Sequence, residues 1–267
     1  MRYPYKNSLR IYYIMADYEY TIGSYLSNPV GAGASTLPMR AKLLDALGTA
    51  YQSLKSKKEF KTRAFKVVKS YVLVVTVPSE TIDNVFYDVA IEFKNAEGVS
   101  NLADRVISVY SNSPAFVYTY AYVFNQRKML IDYLKDHLGS DPLNKPPEKR
   151  NPDETINYEK SIVYAIMHIK NNGYLSKDNF ASSIKISSES AIKSEIRTFD
   201  QAQENYTREK ANQKYLKENE KEAKKEEKRN KVQARKDEIR GTNKVSSTVN
   251  NKVSNKVKLK VNNKVKR

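Results

Sequence analysis

The apolar positions recur first at helical spacing and then at strand spacing. Residues 1–30 are Tyr-rich and show no single period, and the stretch Asn-Pro-Val-Gly-Ala-Gly-Ala-Ser-Thr at 28–36 reads as a flexible loop. Met39, Leu43, Leu47, Ala50 and Leu54 then follow at three- and four-residue steps, which predicts a helix with one apolar stripe. It fades in a basic patch at residues 55–63. A dense β-branched run at 71–77, closed by Pro78, predicts a strand. So do residues 85–93, where Val85, Tyr87, Val89, Ile91 and Phe93 alternate with Phe86, Asp88, Ala90 and Glu92. Residues 105–111 suggest a third strand.

The segment 111–126 alternates aromatic and small residues. Phe116, Tyr118, Tyr120, Tyr122 and Phe124 fall on one side of a strand, and Val117, Thr119, Ala121 and Val123 on the other. Pro114 suits a strand start. Phe116, Tyr120 and Phe124 also sit four apart, which leaves a helix as the second choice. A helix is expected from about Gln126 to His137, with Leu130, Ile131 and Leu134 inward and Gly139 as its stop. Another is expected to start at Asn151-Pro152-Asp153-Glu154, to carry Ile156, Ile162, Val163, Ile166 and Ile169, and to stop at Gly173.

From 192 to 240 there is neither Pro nor Gly. Ile192, Ile196, Phe199 and Ala202 form a short stripe that can dock, after which charged pairs such as Glu204 with Arg208 and Glu227 with Lys231 take over. This predicts a charged helix of roughly 74 Å ending at Gly241, without a coiled-coil seam. The resulting expectation is an α+β fold. A Tyr-rich segment (1–35) precedes a body (36–190) built on an antiparallel sheet of about four strands packed with helices. A long charged helix (191–240) and a disordered basic tail (241–267) follow.

Charge sharpens that division. Residues 1–200 hold 26 basic and 21 acidic side chains, whereas 201–267 hold 21 and 9, so most of the net +17 belongs to the last quarter. The final 27 residues contain seven lysines, one arginine and no acid, and repeat Asn-Lys-Val four times. Lys244, Lys252, Lys256, Lys258, Lys260, Lys264, Lys266 and Arg267 are the candidate contacts to DNA or another polyanion. If all eight met phosphates, the logarithm of affinity would fall about seven-fold as steeply as the logarithm of salt rises.

Other chemistry is sparse. Without cysteine there are no disulfides and no thiolate metal sites. No apolar run reaches the roughly 20 residues of a membrane helix, and no secretory leader is apparent, so a soluble intracellular protein without membrane contact is expected. Gly-Ala-Gly-Ala-Ser-Thr at 31–36 lacks the Gly-Lys-Ser/Thr ending of a phosphate loop. His137 and His168 are the only histidines, and no serine sits in a Gly-x-Ser-x-Gly elbow. Asp88 and Glu92 are expected on a solvated strand face. No catalytic residue, metal, cofactor or small-molecule substrate emerges. For the aromatic row at 116–124, packing in the core or between subunits is preferred to base stacking, because cationic side chains on the same face are lacking.

Three blocks, Phe-Tyr-Asp-Val-Ala-Ile-Glu-Phe at 86–93, the segment 109–126 and the segment 150–166, resemble in order and spacing blocks in virion structural proteins of tailed bacteriophages with AT-rich genomes. Abundant Lys, Asn, Ile and Tyr codons agree with such a genome. The resemblance implies a non-enzymatic part of the head, neck or tail. That part would be present in many copies, assembled in the host cytoplasm, and packed against itself and other virion proteins. It supplies no site residues. The competing expectation is a free nucleic-acid-binding protein of phage replication or gene control, binding through the aromatic row or the patch at 55–63.

Overall fold

The structure is a computed structural model that describes residues 19–27, 37–147, 151 and 154–264, with side chains described except at 37–38 and 237–264. The loop at 28–36 lies outside the described residues, as does the Pro152-Asp153 pair of the expected helix start. The elements are α1 (Ile22–Ser27), α2 (Leu37–Lys55), β1 (Lys61–Val67), β2 (Ser70–Pro78), β3 (Phe86–Phe93), β4 (Ile107–Ser111), α3 (Pro114–Thr119) and α4 (Ala121–Gln126). A 3-10 helix (Asp132–Leu138), α5 (Asp141–Asn144), α6 (Lys160–Asn171), α7 (Lys177–Ser183), β5 (Ile186–Ser188), α8 (Glu189–Glu195) and α9 (Phe199–Lys264) follow. By internal contacts the chain divides into residues 1–210, which hold the sheet, and 211–267, the remainder of α9 with the last three residues.

The fold class is α+β, with helices packed on a five-stranded sheet of order β4-β3-β2-β1-β5. The antiparallel expectation holds for β1 to β4 and fails at the edge, where β5 pairs parallel to β1. Neither β1 nor β5 was expected. β1 reads Lys-Thr-Arg-Ala-Phe-Lys-Val, whose charged residues at 61, 63 and 66 fall on both faces and hide its strand period.

Register sorts the sheet into two faces. Leu73, Val75, Ile91, Val89 and Val109 share one face, and α6 lies across it, with α2 packed on α6. Ser111 on that face meets Ser161 of α6 at 3.0 Å. Each of these buried aliphatic side chains contributes about 1.5–3 kcal/mol by leaving water. The inward side of α2 is Leu44, Leu47, Ala50, Tyr51 and Leu54, while Met39 and Leu43 of the expected stripe are exposed. The large Tyr51 ring, buried against Phe60 and Tyr164, sets the helix rotation. The second sheet face, with Phe65, Val72, Val74, Ala90 and Tyr110, is covered by α8 and the 3-10 helix.

The expected strand at 116–124 is instead two short helices. Ser113 caps α3 by accepting from the Phe116 N–H at 3.1 Å, and Pro114 fits the first turn. The four-residue spacing of Phe116, Tyr120 and Phe124, not the two-residue alternation, is the spacing that matters. The expected helix at 126–137 is also different. After a left-handed turn at Lys128, the Val109 N–H donates to Met129 and Ile131 donates back to Val109, so Leu130 extends the sheet edge by one bridge. Only then does the 3-10 helix form, and Gly139 stops it with φ 78°.

α6 starts at Lys160, well after Asn151. Asn151 instead holds a local turn by accepting from Thr155 N–H at 3.0 Å. Glu159 is the cap of α6, accepting from Ile162 N–H at 2.8 Å, from Ser161 at 2.5 Å and from Ser113 at 3.0 Å. Gly173, with φ 70°, ends it as expected.

The single helix expected from 192 is broken at 196–198, where α8 ends and Thr198 opens α9. Thr198 and Gln201 cap each other, N–H to side chain in both directions, at 2.9 and 3.3 Å. α9 then runs through Gly241 to Lys264, past the expected end at Gly241. One interior glycine costs a helix only about 1 kcal/mol, and no proline follows to break it.

Candidate functional site

Lys244, Lys252, Lys256, Lys258, Lys260 and Lys264 all fall on the backbone of α9, while Lys266 and Arg267 lie outside the described residues. Positions 252, 256, 260 and 264 recur every four residues. At 3.6 residues per turn, each step advances by about 40°, so these positions trace a slowly turning stripe along the helix. Val245, Val249, Val253, Val257 and Val261 recur with the same step.

The start of α9 is tied to the sheet through a carboxylate that the strand alternation misplaces. Asp88 was expected in solvent, yet it is 1% exposed. Its two oxygens accept from Arg197 Nε at 2.9 Å and Arg197 Nη2 at 3.0 Å, from Arg63 Nη2 at 3.1 Å, from Thr76 Oγ1 at 2.9 Å and from the Arg197 N–H at 3.1 Å. The Arg197 carbonyl accepts from Tyr110 at 2.8 Å and from Asn112 at 2.9 Å, and Asn112 accepts from the Asp88 N–H at 2.8 Å. Burial would raise the Asp88 pKa, but the hydrogen bonds and charge of Arg197, with the charge of Arg63, outweigh it and hold the carboxyl below its ordinary range. The backbone N–H and C=O of Arg197, at the α8–α9 junction, are thereby both satisfied around one buried charge. The available sequence signals were Arg63 and Arg197 themselves, at two distant points of the chain.

Beside this junction a cavity of about 510 Å³ is lined by Lys57, Lys58, Lys61, Phe86 and Arg197. Most of its cations are already engaged: Lys58 pairs with Asp83 at 2.7 Å, and Lys61 stands 3.8 Å from Glu59. The basic patch at 55–63 is therefore dispersed over the end of α2, a turn and β1.

The aromatic row does not form a face. Phe116 and Phe124 are fully buried and meet edge to face at 5.4 Å, Tyr120 and Tyr122 are half-buried, and Tyr118 is 55% exposed against Phe199. The two outer members of the row belong to this chain's own core. They do not supply a stacking platform or a subunit interface.

His168 stacks on Phe60 at 5.2 Å and faces Tyr51 and Asn172, and burial together with the charge of Lys55 pushes it down to about 4. His137 is also lowered, by burial and by Lys193. Glu159 is saturated by the hydroxyl and amide donors that make it a cap, an arrangement suited to fixing α3 against α6. Among the described residues, no three His, Cys, Asp or Glu side chains come together to hold a metal ion, and no helix is long and apolar enough to cross a membrane. No protein family, curated protein or solved structure is found to match this chain.

Proposed function

We propose that this protein is a non-enzymatic structural component of a tailed-phage virion, associated with the head, neck or tail. Its α+β body packs against copies of itself and other virion proteins, and its basic C-terminal end contacts DNA or an acidic partner without reading sequence. One observation carries the reading. The excess positive charge is gathered on the last stretch of a long helix whose first residues are fixed to a well-packed body by the Asp88–Arg197 pair. A helix that presents cations at regular steps and lacks acids beyond Gly241 suits a polyphosphate surface.

The full-length chain with Lys244, Lys252, Lys256, Lys258, Lys260, Lys264, Lys266 and Arg267 changed to Gln tests the DNA contact. The unchanged protein is expected to bind duplex DNA with a log–log salt slope near seven, and the neutralised variant to lose both the affinity and the slope. Affinity that survives neutralisation places binding in the body and favours a free nucleic-acid-binding protein. Mass spectrometry of purified particles from the source tests the virion assignment, which fails if the protein is missing from them.

A further inference from the structure

The β1–β2 hairpin turns through two residues, Val68 and Lys69, since Val67 pairs with Ser70. Two-residue turns that match the twist of a hairpin need positive φ at their first position, which glycine, asparagine or aspartate supply without strain. Here that position is Val68, at φ 46°. Five non-glycine residues among those described hold a positive φ, two of them asparagines, and Val68 alone is β-branched, the class least suited to it. Its side chain is also 73% exposed, more than any other large apolar side chain described. Conformation and solvent both work against valine here. The turn is nonetheless held in place, because the Lys69 carbonyl accepts from the N–H groups of Ala96 at 2.8 Å and Glu97 at 3.1 Å. A rigid, strained tip that keeps an apolar side chain in water points to a contact made outside the chain.

A receptor for it lies towards the other end of the sheet. The tip closes the end where Tyr71 stands across from Phe93, and Phe93 across from Ile107. α3 begins just after Asn112, whose N–H donates to Asp88, five residues back along β3. There Val117, Tyr118, Tyr122, Pro142, Pro146 and Pro147 line a groove of about 260 Å³. Small-molecule pockets run to roughly 300–1,000 Å³, so this one suits a single side-chain knob. The charges in its lining, Asp141 and Lys145, pair with each other at 2.8 Å, which leaves the groove neutral and matched to an apolar occupant. Its ring and proline walls are stiff, and tyrosine is favoured at interfaces.

We propose that the Val68 tip of one copy seats in the Tyr118–Tyr122 groove of the next, so that copies join head to tail. The inference rests on the reading of this chain as a many-copy virion component and names the surfaces by which it packs on itself. Beside Val68 on the tip, the exposed Lys69 can then reach Asp141, whose side chain is 76% exposed. Knob and groove are different parts of one chain, so the contact is heterologous. It closes into a ring where the rotation per copy allows and otherwise continues as a filament. One side chain and its flanks make a small contact, so free copies associate weakly and repetition in an assembly supplies the rest.

Sedimentation of the full-length chain at rising concentration tests this, in high salt to suppress contacts through the basic end. The unchanged protein should form dimers and longer species. Val68→Asn should weaken association at least ten-fold while raising the melting temperature of the dilute protein, since asparagine accepts the positive φ. Tyr118→Ala should weaken association to a similar degree. Mixed in equal amounts, the two variants should form dimers and stop there, because each such pair keeps one intact tip and one intact groove. Monomers up to about 1 mM chain, or association that both variants leave unchanged, overturn the proposal. So do mixed variants that stay monomeric or assemble past dimers. A fall in melting temperature with Val68→Asn also overturns it, since the valine would then be serving its own fold. A chain present in purified particles yet monomeric in solution removes this contact and leaves the virion reading standing. A chain missing from particles that still joins head to tail does the reverse.

Discussion

Asp88 and Arg197, 109 residues apart in sequence, form a two-pronged ion pair in which both Asp88 oxygens are engaged by one guanidinium. Such a fork fixes direction as well as distance. It sets where α8 stops and where α9 leaves the sheet.

Breaking that pair should cost stability in proportion to the charge left stranded. A fully buried pair loses about 3–5 kcal/mol when one partner is removed, and the 31% exposure of the Arg197 side chain reduces this to about 2–3 kcal/mol for Arg197→Ala. Arg197→Lys should recover only part of it, because an ammonium cannot span both oxygens. Urea midpoints measure both. A loss under about 0.5 kcal/mol, the level of ordinary surface changes, would mean that Ile192 and Ile196 hold the junction instead.

Two residues should divide the acid limb of the stability curve. His168 has a folded pKa of about 4 against roughly 6.5 when unfolded, so the unfolded chain takes up its proton first as pH falls. Stability tied to neutral His168 is therefore complete above about pH 6.5 and drains away towards pH 4. Asp88 has a folded pKa lowered from roughly 3.9, so its contribution is complete above about pH 5 and is lost only in stronger acid. Denaturation midpoints from pH 7.5 to 3 should show the upper part flattened in His168→Gln and the lower part flattened in Asp88→Asn. An unchanged slope between pH 6.5 and 4 in His168→Gln would refute a neutral buried imidazole.

The aromatic segment makes opposite predictions for neighbouring rings. Phe124→Ala should cost about 3–5 kcal/mol, because its ring is fully buried against Tyr25 and Phe116. Tyr118→Ala should cost about 1 kcal/mol or less, the loss of one edge contact with Phe199. A strand with all five rings on one face would instead give comparable losses. Thermal unfolding of the two variants decides between them.

Gly139 and Gly173 both hold a positive φ, at 78° and 70°. At Gly139, where ψ 165° puts the backbone in a region open essentially to glycine alone, alanine should cost about 1–3 kcal/mol from conformation alone, since an added Cβ would meet nothing within 4 Å. At Gly173 the new Cβ would also stand 3.1 Å from Asn179 Nδ2, so Gly173→Ala should cost more. Equal losses by urea titration would show that Asn179 yields freely.

What the chain declares locally, it declares through properties that need no partner: β-branched runs for β2, β3 and β4, an apolar face for α2 and α6, glycines where φ must be positive, and a long stretch free of proline and glycine for α9. These are backbone preferences and periodicities, and they make the α+β class legible. What tertiary structure decided was where polar residues end up. Asp88 alternates like a solvated side chain and is buried because Arg63 and Arg197 come from elsewhere to balance it. α6 waits until Lys160 because Glu159 finds Ser113 across the fold. The ring row at 116–124 becomes helical because Phe116 and Phe124 gain more from the core than alternation offers at a surface. Partners distant in sequence leave no period behind, so the buried charges and the caps they make could be seen only once the chain was folded.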